Sequence, residues 1–278
     1  MTDSSTLIFY DISSPLQPQS YAPNPSKSRL ALSYKGVPFK TTFVEIPDIP
    51  NVRKSLGCHA TRKFADGSDF NTLPMLQDLA SNKVIGDSFD IANYLDDTFP
   101  DSGGCLFPQE STHTGLDYES PQKDSPILIP LTVLEGTKNE AYAKFNWHVD
   151  ATFTAHVILV AYYMPFNPDT AEATRAIFLK RSGLKSWDAM KVTGEGRERI
   201  KASFKESLTS LARLFTINED GPYLEGKEAN YADLIVGGWL NMFFQCLPEE
   251  EWKDFRTWHG GVFARLHDAL QENYWVCK

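Results

Sequence analysis

No charged N-terminal segment leading into an apolar run is visible in the 278 residues, so a secretion signal is not expected. Long apolar runs are also missing. The best stretch, residues 157–164, is far short of the roughly 20 residues a membrane helix needs. Cysteine is sparse: Cys58, Cys105, Cys246 and Cys277 form no CxxC pair and show no zinc spacing, which reads as free thiols in a reducing compartment. The six histidines make no HExxH or HxxxH. His148 and His156, eight apart, would share a helix face, where packing or surface roles are the expectation and metal is not. Basic clusters are lacking too, and a formal net charge of −9 argues against nucleic acid as a partner. An anionic ligand would need a local positive site. There is no internal repeat and no long low-complexity tract.

The chain has 42% apolar and 23% charged residues, an ordinary globular balance over a length that suggests one large domain or two. The run Leu7-Ile8-Phe9-Tyr10-Asp11-Ile12 reads as a buried strand. After a Ser- and Pro-rich loop, residues 24–36 read as a helix, with Asn24 as N-cap, Pro25 at the first helical position and Gly36 as the stop. Thr42 to Ile46 alternates like a strand, and residues 51–63 are weakly helical. Residues 75–78 and 83–86 read as two strands joined by a turn, and 89–98 as a helix opened by Asp87-Ser88 and closed before Pro100. The order is βαβαββα.

Residues 101–124 are loop-like, with Gly103-Gly104 and several Ser, Thr and Pro. Beyond Ser125 the pattern is helical nearly throughout. Its stripes are Ile127, Leu131 and Leu134; then Ala151, Ala155, Leu159 and Tyr162; then Ile200, Phe204, Leu208, Leu211 and Phe215. Tyr231 to Phe244 is apolar enough for a buried core helix. The expected division is residues 1–105, a linker at 106–124, and an all-helical unit at 125–278.

Three places have chemical potential. A proline such as Pro74 just ahead of a strand is sometimes cis, which could leave the N–H and C=O of Leu73 open to an extended peptide; an ordinary strand-entry proline is the alternative. Asp87 and Ser88 at a helix N-terminus could hold the ammonium and carboxylate of an amino-acid head group, besides capping the helix. The start of the first helix, at Ala22-Pro23-Asn24-Pro25, would favour a thiolate placed against it.

These segments, in this order, resemble glutathione transferases. The closest resemblance is to the fungal-specific class A enzymes, related to the bacterial lignin β-etherases. It runs from the first strand through Ala22-Pro23-Asn24 and Arg29-Leu30-Ala31-Leu32 to Thr72-Leu73-Pro74 and Asp87-Ser88-Phe89-Asp90-Ile91-Ala92. In the second half, Asn230-Tyr231-Ala232-Asp233 matches the family's capping box. The resemblance implies an N-terminal thioredoxin-like domain and a C-terminal all-α domain. It also implies glutathione as co-substrate, no metal, a cytoplasmic homodimer and no membrane association.

By the same resemblance, Leu73, next to a cis Pro74 and with Thr72 beside it, binds the cysteinyl backbone. Asp87 and Ser88 hold the γ-glutamyl head, and Lys63 is a weaker candidate for the glycyl carboxylate. The family's catalytic Ser or Cys position is Ala22 here. Asn24 then becomes the expected thiolate donor, with Ser20 and Ser26 as substitutes, and modest activity is expected. Tyr21, Trp147, Tyr162, Tyr163 and Phe166 are candidates for binding an aromatic or phenolic second substrate. The implied function is conjugation of glutathione to electrophilic aromatics, or their cleavage with it, in detoxification. The alternative is a ligandin with little turnover.

Overall fold

The computed structural model describes residues 6–108, 116–123, 129–132, 134 and 136–275. Strand β1 (Leu7–Ile12) is buried on nearly every residue because it lies inside a four-stranded sheet of order β2-β1-β3-β4. β2 (Phe39–Val44) runs parallel to it, starting three residues earlier than its alternation predicts because Leu7 pairs with Phe39. β3 (Met75–Asp78) is antiparallel to β1, and β4 (Lys83–Ile85) is antiparallel to β3. Helix α1 (Pro23–Tyr34) follows β1, and α2 (Ile49–Ser55) follows β2. α3 (Ser88–Thr98) follows β4. This is the expected thioredoxin-like βαβαββα order. α2 stops well before residue 63, where Gly57 turns the chain at φ +65°.

One helix start differs from expectation. α1 begins at Pro23, with Ala22 as its extended N-cap, which makes no side-chain capping bond. Asn24 is therefore not the cap. Pro23 takes the first helical position, and Pro25 is tolerated two residues later because first-turn N–H groups have no intrahelical acceptor.

The second half is helical: α4 (Glu140–Ala155), α5 (Ile158–Ala161), α6 (Ala171–Ser182), α7 (Gly194–Ser207), α8 (Thr209–Leu214), α9 (Tyr231–Cys246), α10 (Glu249–Phe255) and α11 (Val262–Tyr274). No described helix is long and apolar enough to cross a membrane. Two expected stripes are each split, at His156–Val157 and at Leu208. The helix expected from Ser125 is not seen at 129–132 and 134, where Pro130 and then Gly136 at φ +71° interrupt the pattern; Ile127 lies outside the described residues. Leu106 and Phe107, read as linker, are buried, and the Leu106 carbonyl accepts from the N–H of Tyr231 at 2.9 Å.

α9 is the post around which the domains are assembled. Asn230 and Asp233 form its capping box, each side chain accepting a backbone N–H at 2.8 Å. α1 lies against α9 where Gly237 and Gly238 remove side chains from the seam. Beside this seam the fully buried Lys27 ammonium donates to Asp150 (2.5 Å) and Asn146 (2.8 Å) of α4, and the Trp239 indole donates to the same Asp150 (2.7 Å). Burial lowers the Lys27 pKa, and Asp150 opposes that shift. The pair spans the two halves of the chain, and its desolvation cost offsets much of its attraction.

Candidate functional site

The first turn of α3 carries one half of the site. The Asp87 carboxylate accepts the Phe89 N–H at 2.9 Å, which makes it the N-cap. Its second oxygen faces the Arg62 guanidinium at 3.3 Å, with both groups buried. Ser88 is also buried, yet its hydroxyl makes no hydrogen bond to another described residue, while its carbonyl accepts from the Tyr231 hydroxyl at 3.0 Å. That bond, with the Phe89, Phe107 and Tyr231 rings packed at 5.1–5.7 Å, fastens this turn to α9. Asp90, the third residue of the helix, is exposed at the surface. Protein packed about its carboxyl, and then Asp87, push its pKa up to about 6 against the pull of Arg62.

Ahead of β3 the Leu73–Pro74 peptide is cis. Sheet pairing begins only at Met75, so the Leu73 N–H and C=O are not used by the ladder. Arg53 braces this turn: its guanidinium donates to the Thr72 carbonyl at 2.8 Å and the Gly86 carbonyl at 3.3 Å, and also to that of His59. One buried arginine thus ties the Leu73 turn to the start of α3.

The N-terminus of α1 supplies a third element. Asn24 occupies its first turn, half-buried, and its Oδ1 is buried with no hydrogen-bond partner among the described residues. Because Ala22 holds the cap position, the Asn24 amide is free of capping. Ser20 and Ser26 are a different matter. Both are fully buried, and the Ser26 hydroxyl accepts from Asn241 of α9 at 3.0 Å. Neither substitute hydroxyl faces outward, because the chain entering α1 is covered by α9.

Lys63 is not brought to this group. It is two-thirds exposed and pairs with Asp69 at 3.8 Å across an isolated bridge. Neighbouring side chains of an extended segment point to opposite faces, so the residue turned inward is Arg62. Arg62, Arg53 and Asp90 were not expected from the sequence.

The aromatic candidates divide. Tyr21 is 2% exposed, and burial raises its pKa, so it belongs to the core. Trp147 is half-buried, edge-on to His148. Tyr162, Tyr163 and Phe166 sit together with residues the pattern did not mark. Tyr162 stacks near Trp187 (6.4 Å), and Phe166 stacks on Phe178 of α6 (5.6 Å). The histidines act in packing: His148 accepts the Ser120 N–H, and His156 bonds the Thr152 carbonyl. Among the described residues no group of three or more His, Cys, Asp or Glu could hold a metal.

The glutathione S-transferase N-terminal domain family matches residues 21–98, and the glutathione S-transferase C-terminal domain family matches residues 139–274. A glutathione S-transferase-like protein, ustS, of Aspergillus flavus is 26% identical over 97% of this chain and 92% of its own. Among solved structures, the glutathione S-transferase CsGST63524 of Ceriporiopsis subvermispora, in complex with glutathione, has a TM-score of 0.79 at 27% identity. It covers 98% of this chain and 99% of its own. Glutathione transferase GSTFuA3 of Phanerochaete chrysosporium has a TM-score of 0.74 at 26% identity, covering 98% of each chain. Both halves of the fold, in order and at nearly full length, therefore carry one signature: the chain belongs to the glutathione transferase family.

Proposed function

We propose that this protein binds glutathione along Leu73, Asp87 and Ser88 and transfers it to electrophilic aromatic compounds, with Asn24 assisting the thiol. Three features support the reading: the Leu73 backbone lies outside the sheet ladder, with only the neighbouring Thr72 hydroxyl on its carbonyl at 3.3 Å, the Ser88 hydroxyl bonds no other described residue, and the Asn24 amide does not cap α1.

In this reading Leu73 pairs with the cysteinyl backbone as an added strand would. Ser88, the α3 N-terminus and Arg62 receive the γ-glutamyl carboxylate, while Asp87 and Asp90 face the ammonium. Thr72 supports the turn, and Lys63 is left outside. The α1 dipole and the Asn24 amide N–H stabilise the thiolate at the position where Ala22 supplies no hydroxyl. When bound, glutathione supplies the nucleophile. The sulfur forms a bond to the electrophilic ring carbon, the leaving group departs with its electron pair, and the thiol proton passes to solvent. Tyr162, Tyr163 and Phe166 form the wall for the ring, and aryl ether cleavage belongs to the same chemistry.

A single amide donor should hold a thiolate less well than a preorganised hydroxyl, which supports modest rates. The carrier role is not favoured, since the relatives are described as transferases or transferase-like. A homodimer and a cytoplasmic location are proposed on the family's behaviour.

The test is turnover of 1-chloro-2,4-dinitrobenzene with and without glutathione. A glutathione-dependent rate is expected. Absence of any such rate, with micromolar phenol binding intact, would sink the transferase reading.

A further inference from the structure

Beside the wall just described stands a cation with no anionic partner among the described residues. The Arg181 guanidinium, on the last turn of α6, lies 5.1 Å from the Phe70 ring centroid, 5.7 Å from Phe178 and 5.9 Å from Phe64. Among the described residues no carboxylate pairs with it. Asp66 is occupied by Ser68, and Asp69 by Lys63. Burial lowers the Arg181 pKa, and no acidic neighbour offsets that. Such rings attract a guanidinium, but a partly desolvated one gains more from a carboxylate in its fork.

Position gives this group its meaning. Phe70 is shared: the Arg62 guanidinium approaches the same ring at 5.7 Å, and Arg62 is the partner of Asp87. On the other side, Phe178 stacks on Phe166, which contacts Trp187 at 5.4 Å. Arg181 therefore stands between the Asp87 end of the site and the aromatic wall. All of these rings except Phe70 retain exposed surface. The rim continues the theme in a chain whose net charge is −9. Arg175 lies over Trp187 and Lys191 over Tyr162, and neither has a carboxylate partner among the described residues.

We propose that Arg181 is a specificity-determining residue that selects aromatic acids, taking the carboxylate of the second substrate while its ring packs on Phe178, Phe166 and Trp187. This rests on the second-substrate wall of the proposed function, but it is read by binding and not by turnover.

The test measures the Kd of unreactive 3,5-dinitrobenzoate and of 3,5-dinitrobenzamide by quenching of tryptophan fluorescence, with and without glutathione. Wild type should bind the acid about tenfold more tightly than the amide, the range of one charge-assisted contact at a half-buried site. Arg181→Met should abolish that preference and Arg181→Lys keep part of it, with the Kd for glutathione alone unchanged in both.

Equal binding of acid and amide by wild type overturns the proposal without recourse to any variant. So does an equal loss for both ligands in Arg181→Met, which would make Arg181 a packing clip. Loss of glutathione affinity with dinitrobenzoate binding intact also overturns it, since the carboxylate recognised would then be glycyl. Acid preference with no turnover of any chlorodinitro compound would retain this assignment and reject only the transferase reading.

Discussion

Gly238→Ala isolates the seam on which the site is built. In a helix interior alanine is favoured over glycine by about 1 kcal/mol, so at an open position the change would stabilise. At Gly238 the added Cβ would lie 2.6 Å from the Pro23 carbonyl oxygen, 2.6 Å from Lys27 Cγ and 3.1 Å from Lys27 N, where ordinary contact begins near 3.4 Å. Two of these atoms are backbone. The third belongs to a side chain whose ammonium is anchored on Asp150 and Asn146, so it cannot swing aside.

The first turn of α1 must then retreat from α9 by up to roughly 1 Å. Overpacking of this kind costs about 1–3 kcal/mol, which offsets the propensity gain and leaves a net loss of up to about 2 kcal/mol. Asn24 rides on the same turn, and a misplacement of about 1 Å at a reacting group costs up to roughly 10²-fold in rate. Urea unfolding and kcat/KM with 1-chloro-2,4-dinitrobenzene are the measurements. Gly196→Ala in α7 is the control, because its Cβ would meet only Val192 Cγ1 at 3.7 Å, and it should be neutral or stabilising. A Gly238→Ala protein with an unchanged or higher midpoint and an unchanged kcat/KM would refute the reasoning.

Asn24→Ala should lower kcat/KM about tenfold or more and raise the apparent thiol pKa in the pH–rate profile. Its unfolding midpoint should hardly move, since Asn24 does not cap α1; an unchanged rate would remove it as the donor. Asp87→Asn retains a good N-cap but leaves the buried Arg62 guanidinium without its carboxylate, so titration calorimetry should show glutathione affinity falling about tenfold while the unfolding free energy drops by up to about 3–5 kcal/mol. Intact affinity in Asp87→Ala combined with Ser88→Ala would reject the head-group assignment. Asp90 sets a pH dependence. Its pKa is about 6 in the free protein, and an ammonium beside it favours the carboxylate and lowers that value in the complex. Binding then releases a proton below about pH 6, so affinity is level at neutral pH and weakens as pH falls through 6, by at most about tenfold per unit. Asp90→Asn should flatten the profile; a wild-type profile already flat from pH 5 to 7 would exclude the coupling.

Much of this architecture was readable before any coordinates. The run Leu7–Ile12, the paired short strands before Asp87, and the apolar stretch from Tyr231 all carry local patterns strong enough to be seen one segment at a time. The errors fall where two local readings compete. Pro23 and Pro25 both suit the first turn of a helix, and the choice moved the cap from Asn24 to Ala22. The split at His156–Val157 interrupts a periodicity that runs on regardless, because a stripe of apolar residues records which face is buried and not whether one rod or two carries it. Lys63 and Arg62 are chemically similar neighbours, and only the Lys63–Asp69 pairing decides which turns inward.

The amino acids in order were enough for the strand and helix sequence, the Leu73-Pro74 and Asp87-Ser88 motifs and the resemblance to a family, since each depends on neighbours a few residues apart. Folding in three dimensions settled which polar groups are already occupied. Ser26 is bound by Asn241, 215 residues away, and Arg62 faces Asp87. Arg181 is ringed by Phe64 and Phe70 from the other domain, with no carboxylate paired to it among the described residues. Hydrogen bonds and ion pairs are satisfied across space, so whether a side chain is free for a ligand is a property of the packed molecule and not of its local sequence.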